Sequence, residues 1–325
     1  MARPGRTRAS NAIAQLFVAA ALWGGATTGT KYALRGFGPV TLLAVELVAA
    51  ALALAVTVRL RGGVRGTIPS WRLAATLGLL EPATAYLSET IGLQRTSAAN
   101  ASVILGLESC FVVLLAAIFL RERINGALAF AVAAGFAGLA ILEGSGWLSG
   151  PGVGDALVVS GTFSAAVYVI VARRMDDTVD AMLLTLRQFT VAAVAVVPLA
   201  LGSWASGREA VPTSVAPQFW VAALVVGIAG YGVSFLLYNN AIVVVEAGPA
   251  AVIINLIPAF GVVTAVGLLG ERLGAHQILG ALLLTSSVAL FSYRHLRPGR
   301  RPVGPAVQRE PKQLQPVGGQ STSAL

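Results

Sequence analysis

Apolar stretches of membrane-spanning length dominate the chain, and the connections between them are short. A spanning helix needs roughly 20 predominantly apolar residues. That pattern predicts ten helices, at 13–34, 39–58, 71–93, 97–120, 124–142, 153–172, 181–201, 219–242, 248–269 and 275–293. The connections leave no room for a sizeable inserted domain. A basic segment, 1–12, precedes the helices. A tail, 297–325, rich in Pro, Gly and Gln, follows them and is predicted to be disordered.

Composition agrees with lipid as the solvent. Only 11% of the 325 residues are charged, against about 25% in soluble domains, and the mean hydropathy is +0.78. The net charge of +9 does not form a nucleic-acid patch. Its arginines alternate with the apolar runs as the positive-inside rule requires. With the N-terminus inside, the cytoplasmic side receives Arg3, Arg6, Arg8, Arg59, Arg61, Arg65, Arg72, Arg121, Arg123, Arg173, Arg174 and the basic tail from Arg294. The outer loops hold only Lys31, Arg35, Arg95, Arg208 and Arg272. Both termini are therefore expected in the cytoplasm, in a multi-pass protein of the plasma membrane. The arginines ahead of the first apolar run resemble a signal peptide, but the many spans that follow make this an uncleaved first helix. Cys110 is the single cysteine, and His276 and His295 stand apart, so no disulfide or metal site is expected.

The chain repeats itself. A shift of 149 positions lays 98–123 on 247–272 with eleven of twenty-six positions identical, and both copies end in Glu-Arg, at Glu122-Arg123 and Glu271-Arg272. Five helices then fall in each unit, 13–147 and 148–296. An odd number per unit inserts the two halves in opposite senses. The expected fold is an all-α polytopic membrane protein, ten transmembrane helices as two inverted five-helix repeats, with a site near the midplane between them.

The sequence resembles the EamA-type branch of the drug/metabolite transporter superfamily. The resemblance rests on Trp23-Gly24, on Ala98 and Ala101 followed by Leu120-Arg121-Glu122-Arg123, on Gly248-Pro249-Ala250-Ala251 with Leu256-Ile257-Pro258, and on Leu269-Gly270-Glu271-Arg272. It implies a ten-helix, two-repeat fold that exports or exchanges small metabolites. The chain departs from the family in having Glu108-Ser109 where the ninth helix has Ile257-Pro258, and Glu46 where the family often has Arg.

Ionisable groups inside a bilayer cost about 2.5–3.5 kcal/mol each on insertion scales, and so point to function. Here they are Glu46, Glu81, Glu89, Glu108 and Arg187. Glu46 and Arg187, on helices the repeat makes equivalent, form an expected ion pair. At 100° per residue Glu81, Thr84, Ser88 and Glu89 share a face of the third helix, and Tyr231, Ser234, Tyr238 and Asn239 share one on the eighth. Trp23, Thr27, Thr30 and Lys31 form a third stripe. Gly248-Pro249 opens the ninth helix and Pro258 lies within it, where it is expected to kink the helix. The candidate substrate-binding set is Trp23, Thr27, Lys31, Glu81, Ser88, Glu89, Glu108, Arg187, Tyr231, Tyr238, Asn239 and Asn255. Glu81, deep in its helix and followed by Pro82, is the first candidate for proton coupling, with Glu89 or Glu108 next.

Other functions find less support. Asp176-Asp177-Thr178-Val179-Asp180 has the form of a magnesium–diphosphate motif, but no second acidic cluster accompanies it. HExxH, Gly-x-Ser-x-Gly, Walker and Rossmann patterns are absent. An intramembrane enzyme would need a nucleophile with its base, and a receptor would be expected to carry an extramembrane domain. Ala131, Gly135 and Gly138 have the small-residue spacing of close helix packing or of a homodimer. The expected activity is proton-coupled export of small metabolites such as amino acids, with efflux of cationic drugs as the alternative. The partners are a small-molecule substrate and the lipid bilayer, with no cofactor.

Overall fold

The computed structural model describes residues 6–63, 66–119, 121, 126–143, 152–172, 179–242 and 253–295. Outside these lie Arg3, Arg65, Glu122, Arg123, Arg173, Arg174, the Asp176-Asp177 pair, Gly248-Pro249 and the tail from 296, together with the side chain of Asn239. The described backbone is helical almost throughout. Its segments are α1 (Arg6–Ala33), α2 (Pro39–Leu60), α3 (Trp71–Gly78), α4 (Ala85–Leu93), α5 (Ala98–Leu105), α6 (Glu108–Phe119) and α7 (Gly126–Glu143). They continue with α8 (Val153–Ala172), α9 (Ala181–Ala205), α10 (Pro217–Val225), α11 (Ser234–Ile242), α12 (Ile257–Leu269) and α13 (Ala275–His295). Wider π-helical turns at Leu79–Thr84 and Val226–Val233 join α3 to α4 and α10 to α11. Among the described residues there is no β-sheet, only one bridge between Thr67 and Val179. Six stretches among these residues are long and apolar enough to cross a membrane, and the molecule is polytopic. Leu52, Val56, Ile118, Phe130, Val194 and Leu268 point outward, as an apolar solvent allows.

In lipid no water satisfies a helix end, so side chains must. Ser70, Ser97 and Asp180 cap α3, α5 and α9 locally, accepting from the backbone N–H of Leu73, Asn100 and Leu183. Two helices also lean on carboxylates from far along the chain. Glu209, beyond the end of α9, accepts from Val40 N and Thr41 N, both at 2.9 Å, and from the Thr41 hydroxyl at 2.6 Å. Glu271, beyond the end of α12, accepts from Ala98 N at 2.8 Å and Ala99 N at 2.9 Å.

The principal helix pairs are α2 with α9, α4 with α8, α1 with α12 and α11, and α7 with α13. Helix α7 thus has a partner within the chain, with Val132, Phe136 and Leu139 in one apolar cluster with Ala281 of α13. The largest apolar cluster joins Leu43, Leu47 and Leu54 of α2 to Phe189 and Val196 of α9. Close approach requires glycine at one crossing: a Cβ on Gly227 would run into the Glu46 carbonyl of α2.

The stretch expected as a ninth helix does not carry Pro258 in a helix interior. A turn at Asn255–Leu256 ends one segment, and Pro258 opens α12, where its missing N–H is no loss. The fourth span breaks too, without any proline, at Gly106–Leu107. The breaks match at the shift of 149. Leu107 N donates to Ile104 O and Phe111 N to Leu107 O, while Leu256 N donates to Ile253 O and Phe260 N to Leu256 O.

Candidate functional site

The third span stops being an α-helix where Glu81 takes an extended conformation (φ −148°, ψ 126°) ahead of Pro82, which has no N–H to give. The break frees carbonyls, and Ser164 of α8 donates to Leu80 O at 2.9 Å. In the eighth span Ser234 turns its hydroxyl back onto Gly230 O and Ala229 O. A non-helical residue and widened turns upset a constant 100° per residue, so the two expected stripes are only partly realised. Thr84 is exposed, and Ser234 is buried against its own helix.

What the breaks bring together is an acidic, tyrosine-rich centre. Glu81, Glu89 and Glu108 come from the extended residue, from α4 and from the first turn of α6, and feel one another's charge. Tyr86 reaches Glu81 with its hydroxyl and lays its ring 4.7 Å from that of Tyr231. Tyr168 of α8 lies within electrostatic reach of Glu81 and Glu108 and accepts from Gln188 at 3.5 Å. Tyr238 senses Glu108, and its ring meets that of Trp23 at 5.6 Å. Thr27 stands one turn beyond Trp23 on the same face of α1, and Ser88 directly precedes Glu89. Both are half-buried. Asn255 joins the centre's edge through the Ser109 hydroxyl, which donates to its Oδ1 at 3.2 Å.

Three expectations fail. Glu46 and Arg187 do not pair. Glu46 is fully buried, and its carboxylate accepts from Thr30 at 3.0 Å and from the Tyr231 hydroxyl at 3.4 Å. Arg187 projects toward the membrane face of the 61–70 connection, where it donates to Pro69 O and lies 4.6 Å over the Trp71 ring. A long, flexible side chain near a helix end can reach carbonyls at the interface, which costs less than a buried charge. Lys31 is engaged in the same way at the opposite face, donating to Leu93 O at 2.5 Å and Thr96 O at 2.6 Å. Neither cation is among the charges that Glu81, Glu89 and Glu108 feel, and Lys31 instead lies within electrostatic reach of Glu271. Tyr86 and Tyr168 were missed by the sequence reading, although Tyr168, the single tyrosine of α8, was a usable signal.

A polytopic membrane protein whose broken helices converge on an acidic, aromatic centre belongs to the class of solute transporters. A model of the EamA-like transporter family matches residues 10–143 and again 152–293, and the chain belongs to that family. An "Uncharacterized transporter" of Archaeoglobus fulgidus is 24% identical over 274 residues, spanning 83% of this chain and 93% of its own. A second protein so named from the same organism is 26% identical over 179 residues, 54% of this chain and 62% of its own. A crystal structure of a protein at 19% identity superposes with a TM-score of 0.59, covering 89% of this chain and 99% of its own, which shows a shared fold.

Proposed function

We propose that the protein is a secondary transporter with ten spans in two inverted repeats, working by alternating access around the Glu81–Glu89–Glu108 centre. Two family matches in tandem and the paired breaks at Gly106–Leu107 and Asn255–Leu256 support the repeat. The arginine-rich face, with Arg59, Arg61 and Arg72, is cytoplasmic. Reporter fusions after Leu93 and after Leu296 should read outside and inside, and the opposite result at the second would remove the model.

The substrate is a small metabolite bearing an amine, exported in exchange for protons. The observation that carries this is the gathering of three carboxylates among Tyr86, Tyr168, Tyr231 and Tyr238. Carboxylates attract an ammonium group, and tyrosine faces attract it further. Glu81, at the break itself, carries the coupling proton. Amino acids remain in this class, but Lys31 and Arg187 are both engaged elsewhere and offer a substrate carboxylate no cation. That favours the second reading, an organic cation without a carboxylate. Counterflow in proteoliposomes separates the two. A labelled amine that exchanges faster than its carboxylated parent supports the cation reading, and equal rates support amino acids. No exchange of any amine would remove both.

A further inference from the structure

We propose that Glu271 is a releasable clasp that shuts one end of the centre, and that this end opens only when its carboxylate lets go of α5. The proposal rests on the alternating-access reading above. The clasp is built from two segments 172 to 173 residues apart in sequence. Both carboxylate oxygens are used, one on Ala98 N and one on Ala99 N, and these groups have no carbonyl partner in the first turn of a helix. Beneath the clasp, Ala98 and Ala99 pack directly on Ala265, with Leu269 and Leu273 alongside. Beside it, Gln277 of α13 donates to Asn100 Oδ1 at 2.8 Å.

Two features make this contact one that opens. Helix α5 has only eight residues and ends at the Gly106–Leu107 break, immediately before Glu108 of the centre. Releasing its N-terminus frees a short lever that pivots at the site. The connection behind it is anchored by Lys31 of α1, which holds Leu93 O and Thr96 O and also lies within electrostatic reach of Glu271, and by the Thr96 hydroxyl on Asp155 of α8, so the bend on opening falls at Ser97, between Thr96 and Ala98. Glu209 makes a similar cap on α2, but α2 is also tied to α9 at its far end through Arg61 and Asp180. That cap therefore holds a helix with nowhere to swing.

Cysteine labelling tests the clasp without any substrate, so a failure to find the substrate leaves the result readable. With Cys110→Ala removing the native thiol, Ala265→Cys reports on the surface that the clasp covers, since Ala265 is fully buried. In purified protein, Glu271→Gln should raise the rate of maleimide labelling about tenfold or more, because two charge-assisted bonds favour the closed form. Glu271→Asp, a carboxylate one methylene shorter, should fall between, and decides the matter if the Gln variant is not monodisperse. Glu209→Gln should leave the rate unchanged. An unchanged rate in the Glu271 variants, or an equal rise with Glu209→Gln, overturns the proposal.

Discussion

Helices α2 and α9 differ from the spans that carry the centre in how they are built and held. Each is a single continuous helix, α9 with Pro198 in its interior, and together they are tied at both ends. Arg61 meets Asp180 at 2.5 Å on one face of the membrane, and Glu209 caps α2 on the other, with Trp204 donating to Thr41 at 2.8 Å beside it. The helical stretches 71–93, 98–119, 217–242 and 253–269 are interrupted, and Glu81, Glu108, Tyr231 and Asn255 sit at or beside the interruptions. On the proposed mechanism, the difference separates frame from machinery. Continuous helices keep nearly all of their backbone paired and transmit position, whereas broken ones expose polar groups to a ligand and provide places to bend.

Removing the guanidinium in Arg61→Ala attacks the frame most directly. Asp180 is almost fully buried, and stripping one partner from such a pair costs about 3 kcal/mol. Denaturant unfolding in detergent should show that loss, and a drop below about 1 kcal/mol would mean that this end is not a tie. Glu209→Ala gives up three bonds to one carboxylate and should cost about 2 kcal/mol. Exchange rate per folded molecule should not change, and a selective loss of exchange would assign Glu209 to the moving part. In the machinery the expected pattern reverses. Glu81→Gln leaves stability nearly intact and abolishes accumulation driven by a pH gradient, while exchange falls less than about tenfold, or 1.4 kcal/mol. Uphill transport with an unchanged pH profile would take the coupling role from Glu81. The smallest expected effect is an interaction that is missing. Glu46→Gln and Arg187→Gln should add to within about 0.5 kcal/mol in a double-mutant cycle, since their side chains have different partners.

Much of the frame was legible in the sequence because it follows from hydrophobic length, which depends on residue type alone. The acidic residues of the centre were legible for the same reason: charge in an apolar run stands out. The partners of those charges were not. Nothing in a linear pattern says that Lys31 curls back to two carbonyls, or that Glu46 finds two hydroxyls instead of a guanidinium. The break at Gly106–Leu107 was also hidden. Proline announces a kink, whereas a glycine–leucine turn between apolar neighbours looks like uninterrupted helix. Register failed where the backbone departed from 100° per residue, which is why Thr84 and Ser234 lie off the stripes assigned to them.

The tie between Arg61 and Asp180 also bears on how the protein is made. Arg61 leaves the ribosome 119 residues ahead of Asp180, which at about 5–20 residues per second is on the order of ten seconds. Glu209 and Glu271 arrive later still, long after the N-termini of α2 and α5 that they cap. The first half therefore enters the bilayer with its long-range caps unmade. Assembly waits for the second half, and an expressed fragment ending near residue 147 should be short-lived until its complement is supplied in the same cell.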